Sequence, residues 1–171
     1  MKKVFFLLLC ILSPFELHAD SERNALSDDI VGNWVLVDLP SALQPKFLKT
    51  NPWPATCQWF SYAKTGELKT FDKFGPNMTC ENLSSSQIDK IVEKMPAVIS
   101  WKYNFSAQFQ KGLLIISRSD VQNYGEVWEP HLVTEAYTNS GAEFLPGDLN
   151  LYLVDLKMHQ IVWIRHLRRA Q

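Results

Sequence analysis

The run Ile30-Val31-Gly32-Asn33-Trp34-Val35-Leu36-Val37 constrains this chain most. It is apolar, rich in β-branched residues and anchored by one tryptophan, which reads as the opening strand of a β-rich domain. A second run of the same kind, Gln160-Ile161-Val162-Trp163-Ile164-Arg165-His166-Leu167, lies near the other end. If these first and last strands pair, the chain closes on itself.

Between them the pattern stays strand-like. Gln58-Trp59-Phe60-Ser61-Tyr62 and Glu67-Leu68-Lys69-Thr70-Phe71 flank Ala63-Lys64-Thr65-Gly66, whose glycine supplies the turn of a hairpin. Trp101, Tyr103 and Phe105 alternate with Lys102, Asn104 and Ser106. Leu113 to Ile116 is a short apolar run, Glu126 to Trp128 and Leu132 to Tyr137 are split by Pro130, and Leu149 to Leu156 alternates again. Short, turn-punctuated strands of this kind predict a mainly β fold, an antiparallel barrel or barrel-like sheet. One helix interrupts it near residues 85–95. Ile88, Ile91, Val92 and Met95 recur at spacings of three and four, Ser84 to Ser86 offer the cap, and Pro96 ends it. The stretch Leu39 to Ala55, punctuated by Pro40, Pro45, Pro52 and Pro54, is expected to be a packed loop that covers the core or lines a ligand entrance. Polar residues 20–29 are expected to fray or form one short turn.

Residues 1–19 have the form of a signal peptide: Lys2 and Lys3, an apolar Val4 to Leu12, and a cleavage site near Ala19. The implied location is periplasmic or secreted, with no stable transmembrane anchor after cleavage. Residues 20–171 then form a single β-rich domain, long enough for a real core at about 150 residues. Of the 171 residues, 46% are hydrophobic and 12% aromatic, which excludes a disordered chain. Removing Lys2, Lys3 and Glu16 leaves 15 basic and 17 acidic residues, a net charge of -2, so nothing drives the chain toward nucleic acid. Cys10 leaves with the signal, and the even pair Cys57 and Cys80 is predicted to form a disulfide clamping the hairpin; two buried free thiols are the alternative.

Chemistry-bearing motifs are sparse. The sequence has no Gly-x-Ser-x-Gly, P-loop or His-Glu-x-x-His. His131 and Glu135 have a helical ligand spacing, but on a strand they stand ~13 Å apart. No metal site and no cofactor are expected. Asp120, Glu126, Glu129 and Asp148 are read as solvated strand ends, and Arg165, His166, Arg168 and Arg169 as a solubilising basic terminus.

In the last strand Ile161, Trp163, Arg165 and Leu167 share a face, where an arginine is costly unless paired or stacked. Gly32-Asn33-Trp34 in the first strand, with Arg165 in the last, resembles the lipocalin and wider calycin pattern. The resemblance implies an up-and-down antiparallel barrel, an arginine lying over the first-strand tryptophan, and an interior cavity for a small apolar ligand. The expected function is therefore an exported binding protein for a small apolar or lipid-like ligand, with Trp59, Trp101, Tyr103 and Trp128 facing it. The alternative is a non-enzymatic envelope protein that binds another protein through a sheet face, an edge or the proline-rich loop.

Overall fold

The structure, a computed structural model, describes residues 20–45, 57–73, 80–95, 101–108, 111–122 and 124–171. The stretch read as a signal peptide, most of the proline-rich stretch, the Gly75-Pro76-Asn77 break and Pro96 lie outside these residues.

Among the described residues, eight strands form a closed antiparallel barrel. In chain order they are β2 (Gly32–Val37), β3 (Cys57–Tyr62), β4 (Glu67–Lys73), β5 (Trp101–Gln108), β6 (Lys111–Arg118), β7 (Gly125–Val133), β10 (Leu149–Asp155) and β11 (Gln160–Arg169). Each pairs with the next, and β11 returns to β2 through His166↔Val37, Leu167↔Leu36, Arg168↔Val35 and Arg169↔Trp34. First and last strands therefore meet, as their composition predicts. Closure leaves no strand edge in the ring to recruit another chain. The barrel is compatible with a lipocalin-like architecture.

Two small elements depart from the barrel order. β1 (Glu22–Asn24) pairs with the end of β7, so residues 20–29 do not fray: Arg23 clasps Asp29 through two hydrogen bonds of 2.8 and 3.0 Å, and a short helix α1 (Ser27–Ile30) follows. β8 (Tyr137–Asn139) and β9 (Ala142–Phe144) form a separate hairpin between β7 and β10. Pro130, expected to split two strands, sits inside β7 opposite Leu151. The Pro130 carbonyl accepts from the Ala25 amide at 2.9 Å, on the side away from β10. In a strand the nitrogen and carbonyl of one residue share a side, so the missing donor costs no bond to β10.

Helix α2 (Ser85–Glu93) lies against the outer face of β2 and β3. Ser84 caps it, accepting from the Gln87 amide while Gln87 reaches back to the Ser84 amide. Ile88 and Val92 turn inward and make a second core with Cys57 and Trp59. The Asn33 amide ties the helix down, donating to Ser85 and, at 2.7 Å, to Asp89. Cys57 and Cys80 form the predicted disulfide, joining the start of β3 to the approach to α2. Closing a loop with a sequence separation of 23 stabilises the fold by about 3 kcal/mol. Among the described residues no helix is long and apolar enough to cross a membrane; that and the disulfide are compatible with an exported protein.

Candidate functional site

The two barrel ends are built differently. One end is sealed by α1 and Ala25, with Ile30 fully buried in the interior core beside Trp34. The Trp34 indole donates to the Ile30 carbonyl at 2.9 Å. Above the indole lies a guanidinium, but it belongs to Arg169, 4.3 Å from the ring centroid, and not to Arg165. The register decides this. Arg169 is the residue opposite Trp34, and Arg165 lies four positions back, about 13 Å along the strand. Arg169 also donates to the carbonyls of Val31 and Asp29. Gly32 makes room for it: its φ is +134°, and a Cβ there would lie 2.6 Å from Arg169 Nη1.

Arg165 points instead into the barrel, where it is 5% exposed. Its guanidinium is sandwiched between Trp128 at 4.4 Å and Phe60 at 4.8 Å. Glu126, 8% exposed, accepts from the Trp128 indole at 2.9 Å and from the Tyr124 hydroxyl, and like Arg165 it acts on buried Tyr62. The expectation that Glu126 and Asp148 are solvated strand ends is thus wrong; both are buried. Tyr62 completes the centre of the barrel. Its hydroxyl is buried beside the Arg165 guanidinium, and its O–H donates to no acceptor among the described residues. Burial pushes the phenol up to about 12; Arg165 pulls against that rise and Glu126 adds to it. Tyr124 is also pushed up to about 12, by burial and then by its bond to Glu126. Both phenols therefore remain donors at neutral pH.

Toward the other end the same inward face becomes half-buried and aromatic. Trp101, Leu153 and Trp163 pack against the core without being covered by it. Arg118 lies over Trp101 and Tyr124, held by two bonds to Asp120. Gln44 pins this end from outside, exchanging two hydrogen bonds with the Ile164 backbone as a strand residue would.

Of the four aromatic residues expected inside, the barrel brings together Trp101, Tyr103 and Trp128. Trp59 is on the opposite face of β3, buried under α2 and stacked on Phe71 at 5.0 Å. β3 is buried on both faces, so polarity along it cannot tell inward from outward. Arg165, Glu126 and Tyr62 are the site residues that the sequence did not single out as a set. The shared face of Trp163, Arg165 and Leu167 was the signal for the first of them.

A second polar cluster lies outside the barrel under the β8–β9 hairpin. Glu22, whose side chain is 6% exposed, accepts from Tyr137, from Asn150 at 2.6 Å and from Tyr152 at 3.1 Å. His166, fully buried, has Nδ1 at 2.6 Å from Asn150 Oδ1 and Nε2 at 3.2 Å from Asp148 Oδ2. Arg168 grips Asp148 with two bonds. Burial raises the Asp148 pKa, but hydrogen bonds from His166, Arg168 and the Leu145 amide outweigh it and hold the carboxyl below its usual value. The C-terminal basic residues are therefore structural members of β11 and not a loose tail. A cleft of about 350 Å³ opens beside this cluster, between residues 145–148 and 168–171. Both ring nitrogens of His166 are turned to internal partners, so the imidazole presents no base to that cleft. Among the described residues no group of three or more His, Cys, Asp or Glu could hold a metal ion.

Comparison with protein-family models, curated proteins and solved structures finds no match, which leaves this geometry as the guide to function.

Proposed function

We propose that the protein is an exported, lipocalin-like binding protein, periplasmic or secreted, that holds a small apolar or lipid-like molecule in the open half of its barrel. One observation carries the reading: a barrel sealed at one end leaves Trp101, Leu153 and Trp163 only partly buried at the other, above a buried polar floor. Large rings left partly uncovered on an inward face are the surface an apolar molecule would bury, at roughly 25 cal/mol per Å². Covered by a ligand they would lose contact with water that nothing else in the described barrel removes. The sealed end, filled by Trp34, Phe60 and Leu167, serves as the rigid base.

Native mass spectrometry of the protein purified from its own host tests this. The expected spectrum contains a second species heavier by one small molecule, which organic solvent releases. A spectrum of bare polypeptide alone, unchanged after incubation with apolar extracts of the same cells, would refute it.

A further inference from the structure

We infer that the buried end of the bound molecule carries an uncharged hydrogen-bonding group, such as an alcohol, ester or amide, and not a free carboxylate. The inference rests on the binding function proposed above and adds the chemistry of the ligand's head. It starts from charge balance at the barrel centre. Among the described residues the charged side chains buried at this centre are Arg165 and Glu126, one cation and one anion, both more than nine-tenths buried, and they act on Tyr62 in opposite senses. The centre is therefore close to neutral before any ligand arrives. A carboxylate brought to it would be a second buried anion facing one cation, and an uncompensated buried charge is costly. A neutral head adds no charge.

The groups present also suit a neutral head. Glu126 already accepts from Trp128 and Tyr124, so its oxygens are engaged. Tyr62 is 1% exposed; Arg165 lies against its oxygen, while its O–H donates to no acceptor among the described residues. A buried hydroxyl left unmatched is a standing cost that an arriving acceptor or hydroxyl removes. The phenol serves as donor to a carbonyl or as partner to an alcohol. The tail then runs outward past Tyr103 toward Trp101, Leu153 and Trp163, which supply apolar surface.

The test uses ligands of one tail and different heads: decanol, decanamide and decanoate. Each displaces the neutral fluorophore N-phenyl-1-naphthylamine from the full chain at pH 7.5. Water solvates decanoate better than decanol, so the preference of the native protein alone proves little. The ratio of decanoate to decanol affinity, compared between proteins, cancels tail and solvent. Glu126→Gln leaves the cation without its buried counter-charge, and the ratio should rise at least tenfold toward decanoate. Tyr62→Phe removes the proposed partner, and decanol and decanamide should weaken several-fold while decanoate changes little. Circular dichroism and the urea midpoint identify a variant that fails to fold; if Glu126→Gln fails, Tyr62→Phe decides alone, and decanol and decanamide that bind it as tightly as native protein overturn the inference. A decanoate affinity in native protein equal to or above that of decanol, or a ratio unmoved by Glu126→Gln, overturns the inference and leaves the binding function standing. No displacement by any of the three removes the binding function itself, and this inference with it.

Discussion

Gly32→Ala is expected to destabilise the barrel far more than a surface methyl group should. The native φ of +134° lies where a side chain costs about 1–3 kcal/mol. The new Cβ would also stand 2.6 Å from Arg169 Nη1, so the guanidinium must leave its seat. That forfeits a stacking contact with Trp34 worth about 0.5–1 kcal/mol at an exposed site. Two hydrogen bonds to the Val31 and Asp29 carbonyls go with it, for a combined displacement cost of about 1–2 kcal/mol. The total is about 3 kcal/mol, a drop in melting temperature of about 6–12 °C for a chain of this size. Urea denaturation followed by tryptophan fluorescence measures it. The reasoning is separable by a double-mutant cycle. In an Arg169→Ala background nothing remains to be displaced, so Gly32→Ala should cost only the backbone strain. A coupling of about 1–2 kcal/mol is expected between the two sites. Costs that simply add, within about 0.5 kcal/mol, would refute the packing of Arg169 against Gly32 and Trp34.

The remaining outcomes follow from other elements. Cys57→Ser with Cys80→Ser should lower stability by about 3 kcal/mol, and reductant should have no further effect on that variant's urea midpoint. Asn33→Ala removes three hydrogen bonds to α2 at a cost of about 1–3 kcal/mol; amide exchange at Ile88 and Val92 should quicken more than that in β10. Asp148 has a folded pKa below its ordinary value of 3.8, so its contribution is present above about pH 4 and is lost as pH falls through the folded pKa. Asp148→Asn should therefore be less stable at pH 7 and flatter between pH 5 and pH 2, read as urea midpoint against pH; an unaltered acid limb would contradict the Asp148–His166–Arg168 contacts.

The barrel was largely legible in the sequence because period-two alternation survives wherever one strand face meets water. β5 shows it, the Ala63 to Gly66 turn punctuates it, and α2 betrays itself by a switch to spacings of three and four; β10 keeps the alternation although its outer face, with Asn150 and Tyr152, is covered by a polar cluster. The site was legible only in part. Trp59 was misplaced because α2 covers the outer face of β3, leaving both faces apolar and the direction of each side chain undetermined. Arg165 and Arg169 share one face of β11, and only the pairing register with β2 decides which reaches Trp34. Glu126 and Asp148 look like ordinary solvated carboxylates along the chain. Asp148 is buried against His166 and Arg168, distant in sequence, and Glu126 faces inward between Tyr124 and Trp128, which the chain pattern alone does not reveal. β1 is three polar residues, and its strand state comes from docking on β7 and not from any pattern of its own.

The central claim is that a ligand enters the barrel's half-exposed end, and the tryptophan indoles report on it directly. A two-dimensional NMR titration of the ¹⁵N-labelled protein with decanol should shift the indole signals of Trp101, Trp128 and Trp163. The indoles of Trp34 at the sealed end and Trp59 beneath α2 should stay in place. Shifts confined to Trp34 or Trp59, or no shift at any indole at saturating decanol, would contradict it.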